Sequence, residues 1–289
     1  MKKKAVLTIV AIVLCAGTAL AQKSKIVTDS VSSSILGKDV SVNIYLPAGF
    51  DNDATRQYPV IYLLHGLYGV HTDWDTRGHM KEVVDELMAR GEVVRSVIIM
   101  PCAGDPDVHH VLNGYFNVPE RRYEDFFFKE LIPALEKRYR VKADKQHRAI
   151  MGLSMGGGGS TVYAQRHPDM FSSCYAMSAW LDTELRGTDP KDKLYVVSKS
   201  VHENSAIRFV ENADEATVAR LKTVSWFFDC GDDDYLLDLS VDIYQKMRGK
   251  GIKAELRVRD GWHSWEYWHS ALRLALPFAS NHFGDPESR

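Results

Sequence analysis

The sequence predicts an α/β protein: a mostly parallel sheet with helices on both faces, entered through a pair of antiparallel strands. Three observations carry this. From residue 60 onward, short apolar runs alternate with stretches of helical spacing. Ahead of them stand two segments rich in β-branched residues with period-two alternation. Residues 22–289 are enough for one domain with a full core.

Residues 26–36 and 39–47 read as the antiparallel pair, with Val40-Ser41-Val42-Asn43-Ile44-Tyr45-Leu46 alternating in the second. Gly37-Lys38 makes the turn, and Pro47-Ala48-Gly49 ends the pair. Val60-Ile61-Tyr62-Leu63-Leu64 is a buried strand, residues 79–90 a helix and Val93 to Met100 a strand. Tyr123 to Tyr139 is a helix with Phe126, Phe127, Leu131 and Leu135 facing inward. Ala149 to Leu153 is a strand and residues 155–166 the helix after it. Ser172 to Met177, Val224 to Cys230 and Ala254 to Val258 are further strands, and residues 239–249 and 265–279 supply the last helices. Residues 181–222 interrupt the alternation: Leu181 to Asp192 is polar and loop-like, then two amphipathic pieces follow at 193–210 and 213–222. An excursion here reads equally well as a lid or substrate wall and as ordinary covering helices.

The N-terminus is read apart from the fold. Met1-Lys2-Lys3-Lys4, an apolar run from Ala5 to Leu14 and Ala19-Leu20-Ala21 have the order of a secretory signal peptide, with cleavage before Gln22. A membrane anchor fits less well, because the run is short for a span. A lipoprotein reading through Cys15 is weakened by the bulk of Leu14 before it. The expectation is export to the periplasm or the medium. Loss of residues 1–21 leaves 33 basic against 38 acidic side chains with no long basic run, which disfavours nucleic acid and anionic membranes as partners. Cys102, Cys174 and Cys230 remain; three is an odd number and the spacing is not that of metal ligands, so buried free thiols are expected. The oligomeric state is not legible.

The chemistry centres on Gly152-Leu153-Ser154-Met155-Gly156, which is G-x-S-x-G after an apolar strand and before a helix. In that position the turn is a nucleophile elbow. Its glycines admit a tight bend, the Ser154 hydroxyl stands above the sheet, and the N–H of Met155 is free to bind an oxyanion. On its own the pentapeptide also fits an idle glycine-rich turn. Two later loops decide. An α/β-hydrolase sheet carries its triad in the order serine, acid, histidine, each after a strand. The strand ending at Cys230 runs into Gly231-Asp232-Asp233-Asp234, and the strand ending at Val258 runs into Gly261-Trp262-His263. His263 is the candidate base, since imidazole exchanges protons near neutral pH. Asp229 should point into the sheet layer; Asp234 is the preferred acid, with Asp233 as runner-up. The loop His65-Gly66-Leu67-Tyr68-Gly69 after the first parallel strand is placed to supply the second oxyanion donor, the N–H of Leu67. His65 is expected to brace that turn rather than to transfer protons. Tyr68, Trp180, Tyr235, Trp262 and Trp265 are candidate substrate contacts, because a flat aromatic wall suits a phenolic acyl group or a sugar face. Trp265 and Trp268 have helical spacing, so at least one belongs to the core. His109 and His110 lack the spacing of a metal site. No metal and no cofactor is expected.

Five blocks together resemble a known family: Tyr58 to Gly66, Glu130-Leu131-Ile132-Pro133 with Tyr139-Arg140-Val141, Arg148 to Gly157, Cys230 to Asp234 and Gly261-Trp262-His263. The chain is similar to the esterase family of esterase D (S-formylglutathione hydrolase), carbohydrate esterase family 1 feruloyl and acetylxylan esterases, enterochelin esterases and mycolyltransferases. The resemblance covers about residues 30–283. It implies an α/β-hydrolase fold, a serine esterase mechanism, Asp234 as the acid, and Leu67 and Met155 as oxyanion donors. The N-terminal segment argues against a cytosolic S-formylglutathione hydrolase. The expected function is hydrolysis of feruloyl or related hydroxycinnamoyl esters on plant cell-wall polysaccharide. The alternatives are acetylxylan esterase, siderophore esterase and acyltransferase, or, in a different class, an inactive carbohydrate-binding protein on the same scaffold. Residues 181–222 and Trp180 depart from the family pattern.

Overall fold

The structure is a computed structural model, and it describes residues 23–104, 113–185, 187, 189 and 191–284. The expected signal segment, His109 and His110 lie outside the described residues. Strands β1 (Lys25–Ser33) and β2 (Lys38–Leu46) pair antiparallel in continuous register from Lys25 opposite Leu46 to Ser33 opposite Lys38. Gly37, at φ +67°, turns the chain between them. β3 (Val60–Leu64) and β4 (Val97–Pro101) follow, with the short helix α1 (Asp73–Thr76) and α2 (Met80–Ala89) between them. A two-rung ribbon, β5 (Asn117–Val118) and β6 (Arg121–Arg122), precedes α3 (Tyr123–Phe126) and α4 (Ile132–Arg138). Then come β7 (Arg148–Leu153), α5 (Met155–Arg166) and β8 (Ser173–Met177). Three helices, α6 (Lys193–Glu203), α7 (Ala206–Glu211) and α8 (Glu215–Leu221), lead to β9 (Ser225–Gly231), α9 (Leu237–Gly249), β10 (Ala254–Arg259) and α10 (Trp265–Asn281).

Eight strands form one sheet in the order β1-β2-β4-β3-β7-β8-β9-β10. β2 is antiparallel to β1 and β4; every later pairing is parallel. Side chains alternate across the sheet: Val60, Tyr62 and Leu64 of β3 join one core, Ile61 and Leu63 the other. α2 and α10 cover the second face. The central strands are buried throughout, as a sheet covered on both sides requires.

Three expected elements differ. The apolar run from Val93 pairs only from Val97; Val93 and Val94 are buried in a loop, where the Val94 N–H donates to Ser280 Oγ at 2.9 Å. The helix expected over 123–139 contains a π turn at Phe127–Leu131, where the Ile132 N–H reaches back five residues to the Phe127 carbonyl. Pro133 is the cause, since it has no N–H for the carbonyl four residues back. The piece expected at 193–210 breaks at Asn204-Ser205, because the Ser205 side chain accepts from the Arg208 N–H and starts α7 afresh.

Candidate active site

The carboxyl ends of β3, β7, β9 and β10 open onto one crevice, the position where parallel sheets place their ligands. β7 ends at Leu153, and Ser154 follows with φ +51°, ψ −118°, backbone that a non-glycine residue holds only under constraint. The constraint is close packing. A Cβ on Gly156 would stand 2.5 Å from the carbonyl oxygens of Leu64 and His65, and one on Gly152 2.6 Å from the backbone of Gly156. Only glycine lets α5 begin so near β3 and β7.

Ser154 Oγ lies 3.0 Å from His263 Nε2. His263 Nδ1 lies 2.8 Å and 3.1 Å from the two carboxylate oxygens of Asp234. A carboxylate only accepts, so Nδ1 carries the proton and Nε2 accepts from the Ser154 hydroxyl. Asp234 is buried and also accepts the Leu236 N–H at 2.9 Å. Burial pushes its carboxyl up, but hydrogen bonds from His263, the Leu236 N–H and Ser178 outweigh that and hold it below the ordinary range. Asp233 is exposed; its N–H donates to the Gly261 carbonyl at 3.0 Å, while Asp232 accepts the Gly261 N–H at 3.0 Å. These two residues lace the acid loop to the histidine loop. Asp229 points into the sheet layer, hydrogen-bonded to Tyr175 and Tyr267 and 3.4 Å from Arg259.

The loop after β3 is braced by His65. Its Nδ1 donates to the Gly66 carbonyl at 2.8 Å, and its Nε2 accepts the Ala103 N–H at 2.9 Å. Burial lowers its pKa to about 4, so the ring stays neutral. The Gly69 N–H closes the turn onto the Gly66 carbonyl at 3.0 Å, with Tyr68 at φ +61°. Leu67 and Ser154 line the same crevice. Met155 opens α5, so its N–H has no intrahelical carbonyl to meet.

A cavity of about 460 Å³ is lined by Ser154 and His263 together with Leu67, Tyr68, Tyr235, Trp262 and Trp265. Tyr68, Tyr235 and Trp262 are 53, 73 and 64% exposed and form its rim. The chain between Tyr58 and His263 carries the features of one family, and residues 33–279 match that family, described as "Putative esterase". The chain belongs to this esterase family.

The esterase has the α/β-hydrolase fold. It is 28% identical over 246 residues to an endo-1,4-beta-xylanase/feruloyl esterase of Xylanibacter ruminicola, matching 83% of this chain but spanning only 29% of that relative's length. An acetyl esterase of Caldicellulosiruptor saccharolyticus is 24% identical over 268 residues, covering 86% of this chain and 95% of that one. A solved ferulic acid esterase is 48% identical with a TM-score of 0.87, covering 91% of this chain and 100% of that one.

One expected substrate contact stands apart from the others. Trp180 does not line the cavity: it is half-buried against the core, and its backbone braces the elbow, with its N–H on the Ser154 carbonyl at 2.9 Å. Among the described residues of 181–222 none lines the cavity either; α7 packs on α5 and α9, Gln165 donates to the Ala206 carbonyl, and Arg208 grips Asp182. Asp73 and Arg77 do line it, one helical turn apart, with the guanidinium 4.9 Å over the Trp265 ring. An ordinary i,i+4 charge pair gave no sign of this. Trp268 is the core partner of the spaced tryptophans: it is buried, edge-on to His263 and Trp265. The three cysteines are free and buried. Among the described residues no helix is long and apolar enough to cross a membrane.

Proposed function

We propose that the esterase hydrolyses feruloyl and related hydroxycinnamoyl esters of plant cell-wall polysaccharide, after export, through an acyl-enzyme on Ser154. The observation that carries the reading is the Ser154–His263–Asp234 hydrogen-bond chain opening into an aromatic-lined cavity. The 48% identical ferulic acid esterase and the xylanase/feruloyl esterase support the acyl group; the charge pattern of residues 1–21 supports export.

Ser154 Oγ attacks the ester carbonyl while its proton passes to His263 Nε2. Asp234 stabilises the imidazolium. The tetrahedral oxygen is held by the N–H groups of Leu67 and Met155. Collapse breaks the bond to the alcohol oxygen, which takes the proton from Nε2. Water, giving its proton to the same nitrogen, then attacks the acyl-enzyme; the acid leaves and Ser154 regains its proton. The alcohol must depart beside His263. The Tyr235 ring lies 4.7 Å from the imidazole and Trp262 precedes it, so the leaving sugar meets exposed aromatic faces.

The test is a comparison of methyl ferulate, an acetylated xylo-oligosaccharide and S-formylglutathione on purified residues 22–289. Methyl ferulate is expected to turn over fastest. Ser154→Ala and Asp234→Asn should each lower kcat on the order of 10³-fold or more, whereas Asp233→Asn stays near the parent. Acetate release alone would move the assignment to deacetylation, and retained activity in Ser154→Ala would overturn the mechanism.

A further inference from the structure

α1 and the residue that caps it supply two charged side chains to the active-site cavity, Asp73 and Arg77, and the steps above use neither. Trp74 beside them fixes the helix in place. It is buried, its indole N–H donates to the Leu64 carbonyl at 3.1 Å, and its ring stands edge-on to Trp265, centroids 5.4 Å apart. Gly78 admits this approach, since a Cβ there would stand 3.0 Å from the Trp265 ring. The Arg77 guanidinium lies 4.9 Å over the same ring, with Nη1 3.8 Å from Asp73 Oδ2.

Neither side chain is saturated by these contacts. Asp73 Oδ2 accepts the Val70 N–H at 3.3 Å, but Oδ1 accepts no hydrogen bond among the described residues. Arg77 has its ion pair and its ring contact, and among the described residues its guanidinium N–H groups meet no hydrogen-bond acceptor. The cavity wall thus carries an acceptor oxygen and a donor fork side by side, their charges opposed. Such a pair fits a neutral group that offers a proton and a lone pair on neighbouring oxygens. In a feruloyl polysaccharide both the acyl ring and the sugar carry neighbouring oxygens, and position favours the ring. The departing alcohol takes its proton at His263, whereas Arg77 stands two indoles away from that histidine: it lies over Trp265, which is 5.3 Å from Trp268, itself 4.9 Å from His263. Asp73 instead adjoins the loop that carries Leu67, for a Cβ on Gly69 would stand 2.9 Å from Asp73 Oδ2. A hydroxycinnamoyl group is flat, and its vinyl linker sets the ring oxygens well away from the ester carbonyl.

We propose that Asp73 and Arg77 are specificity-determining residues that read the ring substituents of the acyl group: the Asp73 carboxylate accepts the proton of the para hydroxyl, and the Arg77 guanidinium donates to the neighbouring meta methoxy oxygen. This rests on the hydroxycinnamoyl reading given above and adds to it the side chains that select the ring.

Methyl cinnamate, methyl p-coumarate and methyl ferulate share one leaving group and differ only in ring oxygens: none, a para hydroxyl, and that hydroxyl with a meta methoxy. Ratios of kcat/KM among them cancel any general loss of activity in a variant. The parent should favour coumarate over cinnamate and ferulate over coumarate. Asp73→Asn leaves an acceptor for the Val70 N–H. It should lower the coumarate-to-cinnamate ratio about fivefold, because a charge-assisted hydrogen bond becomes a neutral one. Arg77→Met keeps an unbranched stem against Trp265 and should lower the ferulate-to-coumarate ratio about tenfold, the size of one lost hydrogen bond to a charge. A parental ratio in either folded variant would overturn the proposal, and one variant decides if the other does not fold. A feruloylated arabinoxylan oligosaccharide separates the two sources of neighbouring oxygens: a loss there with parental ratios on the methyl esters would assign the pair to the sugar and overturn the acyl assignment. A parent that turns over 4-nitrophenyl acetate but none of the three methyl esters would instead sink the hydroxycinnamoyl function, a separate failure visible before any variant is made.

Discussion

His65 shows how one side chain can couple site geometry to pH. Both ring nitrogens are engaged inside the molecule, and burial lowers the folded pKa from the ordinary 6.5 to about 4. Between those values the unfolded chain binds more protons than the folded one, so stability falls as pH drops from about 6.5 to about 4, and this group adds nothing further below that. At 1.36 kcal/mol per pKa unit the loss is roughly 3 kcal/mol. Urea unfolding across that window should give a flatter pH dependence for His65→Gln than for the parent; parallel curves would place the acid sensitivity elsewhere. The brace itself was legible, because a histidine in the loop directly after the first parallel strand is placed to hydrogen-bond that turn's own backbone, as both ring nitrogens do. The choice of Asp234 over Asp233 was legible only as a preference, since three adjacent aspartates differ by burial and direction rather than by type.

At the scale of elements, the pressure point is α5 against the segment leaving β8. A Cβ on Gly158 would stand 2.1 Å from the Trp180 carbonyl oxygen, which is backbone and cannot swing aside. Gly158→Ala should therefore cost about 1–3 kcal/mol of stability. It should also lower kcat, since the Trp180 N–H holds the Ser154 carbonyl. Denaturant unfolding and kcat on one preparation check both, and parental values would mean the segment yields freely. The strand–turn–helix order around Ser154 was readable because hydrophobic period and glycine placement agree there. The π turn and the break at Ser205 were not, because each depends on one backbone hydrogen bond that periodicity averages away.

For the whole molecule, the parallel sheet gathers loops far apart in sequence at one edge, which is why chain order alone could predict which side chains meet. It could not tell on which side of the sheet residues 181–222 would lie, since covering helices and lids share the same amphipathic pattern. The same enclosure has a consequence for the thiols. Cys102, Cys174 and Cys230 are all sealed from solvent, and burial drives each thiol toward its unreactive protonated form, Cys230 up to about 12. A water-soluble alkylating reagent added to residues 22–289 can mark a cysteine only while the protein around it is open. Cys102 sits at the end of β4, Cys174 in mid-sheet and Cys230 near the acid loop. Peptide-resolved labelling should mark Cys102 first and Cys174 last, the latter in step with global unfolding; one shared rate would mean that the molecule opens only as a unit. The chain thus contains three native stopwatches for its own breathing, one of them set beside the catalytic loops.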